Sequence, residues 1–127
     1  MRQNFSSGAK WEDIVGYSRA VKVGNLIEIA GTTSVINGEI AFEGDAYNQT
    51  RTIIDIAEKT LNQAGATLND VIRTRMFVTN IKDWELVGKA HGEAFSDIKP
   101  ATTLVEVKGF VDPRMLVEIE FTAYLSE

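Results

Sequence analysis

The sequence predicts a single α+β domain over residues 1–127, in which a mixed sheet carries two helices on one face. Three observations favour this class. The chain has 127 residues, of which 44% are hydrophobic and 24% charged, as expected for one folded domain. Two stretches repeat apolar residues at intervals of three and four, which is typical of amphipathic helices. Most of the other stretches alternate or are rich in β-branched residues, as strands are.

The first part of the chain predicts two hairpins. Residues 1–16 are mixed and contain glycine, so an arm or loop is expected there. Residues 18–33 form two short extended runs around Gly24-Asn25, and this pattern predicts a β-hairpin because both turn residues tolerate positive φ. A second turn is expected at Asn37-Gly38, between two short strand-like pairs.

Two helices are predicted from apolar periodicity and from their end signals. The first covers residues 45–64, with Asp45 as a plausible N-cap and Gly65 as a plausible stop. The second fits residues 83–95, where the apolar side chains lie on roughly one side, and Pro100 terminates that region.

Three further extended runs complete the pattern, over residues 71–79, 102–107 and 116–124. The predicted order is therefore ββ(β)–α–β–α–β–β, which implies a small sheet with helices on one face. Two helices can cover only one face, so the other face needs a partner. Oligomerisation is the expected answer.

Composition and charge argue against several classes of function. The net charge of −5, without a basic block, argues against a protein that binds nucleic acid or anionic membrane surfaces. The absence of cysteine excludes disulfides and thiolate ligands, and a single histidine leaves little scope for a metal site. No run approaches the ~20 apolar residues of a membrane span, and no signal peptide is visible, so a cytoplasmic protein is expected.

Charged residues occur in pairs at strand spacing. Arg73 and Arg75 are two residues apart and share one face of their strand, whereas Ile72 is expected to face the core. These arginines are either solvated or part of an anion-binding surface between subunits. Glu118 and Glu120 repeat the spacing, and they either pair with arginines across strands or place a carboxylate in a cleft to move a proton.

His91 is the only side chain expected to titrate near neutral pH without help. It lies on the same helical stripe as Trp84, and is either a packed, hydrogen-bonded residue or a proton donor or acceptor. Gly88, one turn earlier, costs about 1 kcal/mol relative to alanine, which indicates that something approaches the helix closely at that point.

Several segments, taken in order, resemble the family of reactive-intermediate deaminases called Rid or YjgF. They span nearly the whole chain and comprise residues 16–20, 29–32, 78–80, 94–95, 100–103 and 116–120. The resemblance implies a chorismate-mutase-like α+β fold and a homotrimer with small-molecule clefts at the subunit boundaries. Family members with deaminase activity hydrolyse enamines and imines, such as 2-aminoacrylate, to ketoacids and ammonia without a metal or cofactor.

The resemblance also assigns roles to individual residues. Glu118 would position or activate water, Tyr17 would help to shape the pocket, and backbone groups of Gly31 and Thr32 would line it. One assignment fails, because Thr102 stands where the family has the arginine that clamps the substrate carboxylate. Loss of that arginine removes a contact of ~1.5–3 kcal/mol, which makes activity on 2-aminoacrylate doubtful.

Two other positions depart from the family pattern. Leu104 stands where cysteine is frequent, and Gly88 stands where the second helix carries an asparagine. The chain instead resembles a large Rid-like subgroup without the arginine, through its motifs at residues 71–75, 90–93 and 100–103.

We hypothesise that new ionisable groups replace the lost ones. Arg73 or Arg75 would become the anion anchor, and His91 would reach the cleft beside Glu118 as a proton donor or acceptor. The remaining substrate contacts are expected from Trp84, Gly88, Thr102 and Leu104.

Two functions stay open at this point. The first is cofactor-free hydrolysis of an imine, an enamine or a related small carbonyl compound by a cytoplasmic homotrimer, and His91, Glu118 and the paired arginines favour it. The second is a non-catalytic module that binds a small molecule, which the missing arginine favours. A ribonuclease role, proposed for some relatives, comes third because the chain is acidic and lacks a basic, aromatic-rich stripe.

Overall fold

A computed structural model describes residues 1–126, so Glu127, the end of the expected domain, lies outside the described residues. The strands are β1 (Arg2–Phe5), β2 (Ala20–Val23), β3 (Leu26–Thr32), β4 (Val35–Ile36), β5 (Glu39–Ile40), β6 (Val71–Val78), β7 (Ala101–Glu106) and β8 (Val117–Tyr124). The α-helices are α1 (Lys10–Val15), α2 (Ala46–Gln63) and α3 (Trp84–Phe95), and two short 3₁₀ turns cover Leu68–Asp70 and Ile81–Asp83.

Six strands form one mixed sheet in the order β1-β2-β3-β8-β6-β7, while β4 and β5 form a separate hairpin. Every neighbouring pair in the large sheet is antiparallel except β6 and β7, which are parallel and are connected through α3. The predicted α+β class with a mixed sheet is therefore confirmed. Both predicted hairpin turns are also present, with positive φ at Gly24, Asn37 and Gly38.

The two long helices begin and end where the sequence predicts. Asp45 caps α2 by accepting a hydrogen bond from the backbone N–H of Asn48 at 2.9 Å. Gly65 follows the helix with a φ of 85°, a left-handed conformation that glycine adopts without a side-chain penalty. The second helix, α3, matches the expected range to within one residue.

The prediction of an arm or loop over residues 1–16 is wrong. Residues 2–5 form β1, which pairs with β2, and residues 10–15 form α1. These elements escaped prediction because they carry little apolar periodicity. The three leading residues of β1 are exposed, and α1 has only six residues.

The hydrophobic core lies between the large sheet and the helices α2 and α3. On β8 the residues Val117, Ile119 and Phe121 are buried, whereas Glu118 and Glu120 between them point to the opposite face. On β6 a β-bulge shifts the register between Val71 and Arg73. The bulge buries Val71 and leaves Ile72 51% exposed, so the expectation that Ile72 faces the core is wrong.

The opposite face of the sheet has no covering helix pair, and we call it the uncovered face. It carries polar and charged side chains from the three strands β3, β6 and β8, namely Glu28, Arg73, Arg75, Glu118 and Glu120. The edge strand β7 is also mostly exposed. Among the described residues, no helix is both long and apolar enough to cross a membrane.

Candidate functional site

The carboxylate of Glu118 lies directly against the backbone of Gly31 on the neighbouring strand β3. A Cβ atom placed on Gly31 would meet Glu118 Cδ at 2.8 Å and Oε2 at 2.9 Å. Real Cβ atoms do not approach other atoms so closely, so only glycine leaves room for this carboxylate. The family resemblance places a glycine at position 31, and the structure gives the physical reason, because the absence of a side chain there creates the space that Glu118 occupies.

Arg19 completes the same corner from the start of the β2–β3 hairpin. The pairing of β3 with β8 is irregular between Ile29 and Thr32, and Gly31 lies inside this irregularity. Arg19 Nη2 donates a hydrogen bond to the Gly31 carbonyl at 2.5 Å. Arg19 Nε is buried without a hydrogen-bond partner among residues 1–126.

These residues line an open groove of about 1590 Å³, which we call the Glu118 groove. Its walls include Tyr17, Arg19, Gly31, Thr32 and Glu118, together with the loop between β7 and β8. The structure therefore brings together four residues that the resemblance and the strand pattern single out. Tyr17 is 38% exposed and lies at the border with a second groove.

The surroundings of Glu118 alter the pKa of its carboxyl group. Burial raises its pKa, the negative charge of Glu120 raises it further, and the nearby Arg19 guanidinium lowers it in part. The described part of the chain gives the Glu118 carboxylate no hydrogen bond and no ion pair within 4.0 Å. A carboxylate with a raised pKa is a stronger base than an exposed glutamate, and its lone pairs are available to a ligand or a water molecule.

The two strand arginines lie outside the Glu118 groove. Arg75 faces Glu120 across the strands, with Nη1 and Oε1 4.0 Å apart, and both line a smaller groove of about 740 Å³. Arg73 Nη2 donates to Thr103 Oγ1 at 3.2 Å. The expected cross-strand pairing thus exists for Arg75 and Glu120. The hypothesis that Arg73 or Arg75 anchors an anion beside Glu118 has no support in this chain.

His91 lies on the other side of the sheet, between α3 and β6. Its Nε2 is 2.9 Å from Thr74 Oγ1, which is 2.8 Å from Thr102 Oγ1. The His91 ring also contacts the Phe95 ring, with centroids 4.7 Å apart and planes tilted by 36°. Burial lowers the pKa of His91. Thr74 is fully buried on the face of the sheet that the helices cover, opposite Glu118. The hypothesis that His91 reaches the cleft beside Glu118 therefore has no support within one chain.

The remaining expected substrate contacts are also remote from the Glu118 groove in this chain. Trp84 begins α3 and is 56% exposed, while Leu104 packs partly against the core from the edge strand. Thr102 donates to the Pro100 carbonyl at 3.0 Å as well as contacting Thr74. A Cβ on Gly88 would meet nothing within 4 Å, so the expected close approach to this helix is absent within the chain.

Two residues of the site region were not recognised as functional candidates from the sequence. Arg19 follows Tyr17 by two residues, an extended spacing that could have placed both on one side of the chain. Gln49 is fully buried in α2 and accepts a hydrogen bond from the Leu116 backbone N–H at 2.9 Å. This bond fixes the entrance to β8, two residues before Glu118, and no local pattern in the sequence indicates it.

Residues 1–126 contain no group of three or more histidine, aspartate or glutamate side chains arranged to hold a metal ion. The polar walls of the Glu118 groove instead present the carboxylate of Glu118, the guanidinium of Arg19, the phenol of Tyr17 and backbone groups, beside the ion pair of Asp112 and Arg114. Such a set can bind a small polar molecule by hydrogen bonds and can accept a proton from it or from water.

The family model described as endoribonuclease L-PSP matches residues 8–125. The chain belongs to this family, also known as the YjgF or Rid family. It is 40% identical over 118 residues to the uncharacterised protein SCO2049 of Streptomyces coelicolor, covering 93% of this chain and 88% of that protein. It is 30% identical over 110 residues to the 3-aminoacrylate deaminase RutC of Acinetobacter baylyi, covering 86% of each.

A solved structure shows the same fold. The crystal structure of Rv2704 from Mycobacterium tuberculosis, a member of the YjgF/YER057c/UK114 family, superposes with a TM-score of 0.89. It is 46% identical and the match covers 98% of this chain and 100% of that one. The family membership predicted from the ordered segments is therefore confirmed, and so is the single-domain α+β fold.

Proposed function

We propose that this protein hydrolyses small imines or enamines to carbonyl compounds and ammonia in the Glu118 groove, without a cofactor. The observation that carries the proposal is the position of Glu118. Its carboxylate is half-buried against Gly31, has a raised pKa and has no partner among residues 1–126. The relationship to the RutC deaminase adds support at the level of the reaction class.

The groove supplies what such a hydrolysis needs. A water molecule adds through its oxygen to the carbon of a protonated C=N bond, and Glu118 accepts a proton from that water. The same carboxyl group protonates the nitrogen of the resulting carbinolamine, and as ammonia leaves the Glu118 carboxylate accepts the hydroxyl proton, so that the C=O bond forms. An enamine enters the same route after taking up a proton from solvent at its β-carbon, which converts it to the iminium ion. Tyr17 and the backbone of Gly31 and Thr32 hold the substrate over the carboxylate.

The test is ammonia release by the purified protein from 2-aminoacrylate and from bulkier imines that are generated in situ by amino-acid oxidases. We expect Glu118→Gln to lower turnover by about a hundredfold or more, in line with the loss of a general base. Glu120→Gln is the matched control, because it removes a carboxylate from the same strand and face but outside the Glu118 groove. It should affect turnover only through the lower pKa of Glu118 that follows from the loss of the Glu120 charge. Equal losses in both variants, or none in either, would refute the role of Glu118.

We further propose a cytoplasmic homotrimer in which the uncovered face is buried between subunits. The support is physical, since the long helices α2 and α3 pack against the other face of the sheet and the edge strand β7 is mostly exposed, including the apolar side chain of Val105. Native mass spectrometry of the purified protein measures the number of subunits directly. A stable monomer at micromolar concentration would contradict the proposal.

A non-catalytic binding module is the second candidate. The observation that favours it is Thr102, which bonds to Thr74 and Pro100 in place of the family's carboxylate-clamping arginine. Ligand binding without ammonia release across the whole imine panel, by a folded protein, would select this candidate. Ribonuclease activity is disfavoured by the net charge of −5.

A further inference from the structure

We propose that Arg19 is the carboxylate-binding residue of the Glu118 groove. It would replace the carboxylate-binding arginine that other family members have at the position of Thr102. The inference deepens the proposed function, because it concerns the ligand of the same groove. It nevertheless makes a separate claim about binding, which holds or fails whether or not the protein turns over an imine.

The guanidinium of Arg19 is short of acceptors in its own chain. It has five N–H groups, and the only side-chain hydrogen bond that it makes within residues 1–126 runs from Nη2 to the Gly31 carbonyl. Its Nε is shielded from solvent and has no partner. A largely enclosed guanidinium with a single acceptor is costly, and a bound carboxylate would supply the missing oxygens at the wall of the groove.

The charges at this corner suit a ligand that carries a carboxylate beside a cationic nitrogen. Arg19 is positive, and Glu118 is close enough for each charge to stabilise the other. A carboxylate on Arg19 therefore places the adjacent C=N group of a small imino acid on the side of Glu118, where water is activated. Gly31 links the two residues, since it accepts from Arg19 and leaves room for Glu118.

The other cations near the groove are less suited to this task. Arg114 also lines it, but its Nε and Nη2 are bound to both carboxylate oxygens of Asp112 at 3.0 and 2.8 Å. Lys10 lies over the ring of the exposed Trp11 at the rim, 5.0 Å from its centroid. Arg73 also has a buried Nε without a partner, but it lines neither groove.

The experiment compares two stable probes by calorimetry or ligand-observed NMR: 2-oxobutyrate, and its neutral analogue 2-oxobutanamide, in which an amide replaces the carboxylate. We expect Arg19→Gln, which keeps a donor for the Gly31 carbonyl, to weaken 2-oxobutyrate binding by about ten- to a hundredfold. Binding of the neutral amide should change less than twofold. Arg19→Lys should recover part of the affinity for the carboxylate, because it restores the charge without the planar fork. Arg75→Gln is the matched control outside the groove and should bind both probes like the wild type.

Each other outcome overturns the inference. Equal weakening of both probes in Arg19→Gln would show that Arg19 only holds the bulge at Gly31. No weakening, or no binding of 2-oxobutyrate by the wild type, would show that Arg19 binds no carboxylate there. If Arg19→Gln does not fold, the test uses the NMR resonance of the Arg19 Nε–H group in the wild type, which is assigned by its absence in Arg19→Lys. This resonance must shift when 2-oxobutyrate is added and must not shift when the amide is added.

Failure of the proposed function gives a different result. In that case the protein releases no ammonia from any imine, while charge-selective binding of 2-oxobutyrate still depends on Arg19.

Discussion

Substitution of Gly31 by alanine should separate activity from stability. The φ of Gly31 lies outside the left-handed region, so alanine can adopt this backbone conformation without strain. The new methyl group, however, would lie 2.8 Å from Glu118 Cδ. The carboxylate must therefore move by at least about 0.6 Å to reach the 3.4 Å of an ordinary contact.

The magnitude follows from what this displacement changes. A shift of about 1 Å in a catalytic group can cost about a hundredfold in rate, so we expect turnover to fall by about ten- to a hundredfold. The free energy of unfolding should change by less than about 1 kcal/mol. The carboxylate is the mobile end of a side chain, and alanine restricts the unfolded chain more than glycine does.

The assay measures ammonia release and thermal denaturation on the same preparations. Gly92→Ala is the matched control, because it adds the same methyl group in α3 where nothing lies within 4 Å. We expect it to leave turnover unchanged and to raise stability by up to about 1 kcal/mol through helix propensity.

A double-mutant cycle decides whether Gly31 acts through Glu118. If it does, Gly31→Ala should cost little further activity in a Glu118→Gln background, since the displaced carboxylate is already gone. Full activity in Gly31→Ala, or additive losses in the double variant, would refute the reasoning.

Three further predictions concern stability. Gln49→Leu should lower the free energy of unfolding by about 2–4 kcal/mol, because it removes buried hydrogen bonds to the Leu116 N–H and the Arg114 carbonyl. Urea unfolding measures this, and an unchanged unfolding midpoint would contradict it. Glu118→Gln should be more stable than the wild type at pH 7 and equally stable below pH 4.5. A raised carboxyl pKa makes the stability of the wild type fall as pH rises through that pKa. A difference in free energy of unfolding between variant and wild type that stays constant across pH would contradict this prediction. His91→Gln should lose less stability than the wild type as pH falls below 6.5, because burial lowers the pKa of His91 and protonation therefore favours unfolding. Melting temperatures of the two proteins that change in parallel from pH 5 to 7 would disprove this.

Most of the fold could be predicted because it rests on local patterns. The helix α2 combines a long apolar stripe with a cap at Asp45 and a stop at Gly65, and each signal is readable without the rest of the chain. The bulge that buries Val71 and exposes Ile72 has no such signal. Strand alternation assumes a regular pleat, and the register shift follows from how β6 and β8 pair in three dimensions.

The candidate site was predictable in part for a similar reason. Strand periodicity correctly placed Glu118 and Arg75 on one face, but residues that share a face need not share a groove. Arg75 is held by Glu120 on the same strand pair, whereas Glu118 is next to Gly31 on the other side, where β3 lies. The helix stripe of His91 faces the core on the opposite side of the sheet.

The position of Arg19 explains how the groove can keep an anion-binding group without an arginine at Thr102. Thr102 lies on the edge strand β7, which is separated from β3 by the two strands β8 and β6, and its hydroxyl is hydrogen-bonded to Thr74. Arg19 approaches from the opposite side of Glu118, through the β2–β3 hairpin, and already contacts the glycine that the carboxylate requires. The loss of one arginine therefore does not by itself imply the loss of the chemistry. Charge-selective binding by Arg19 is compatible with both functions, and ammonia release is the property that decides between them.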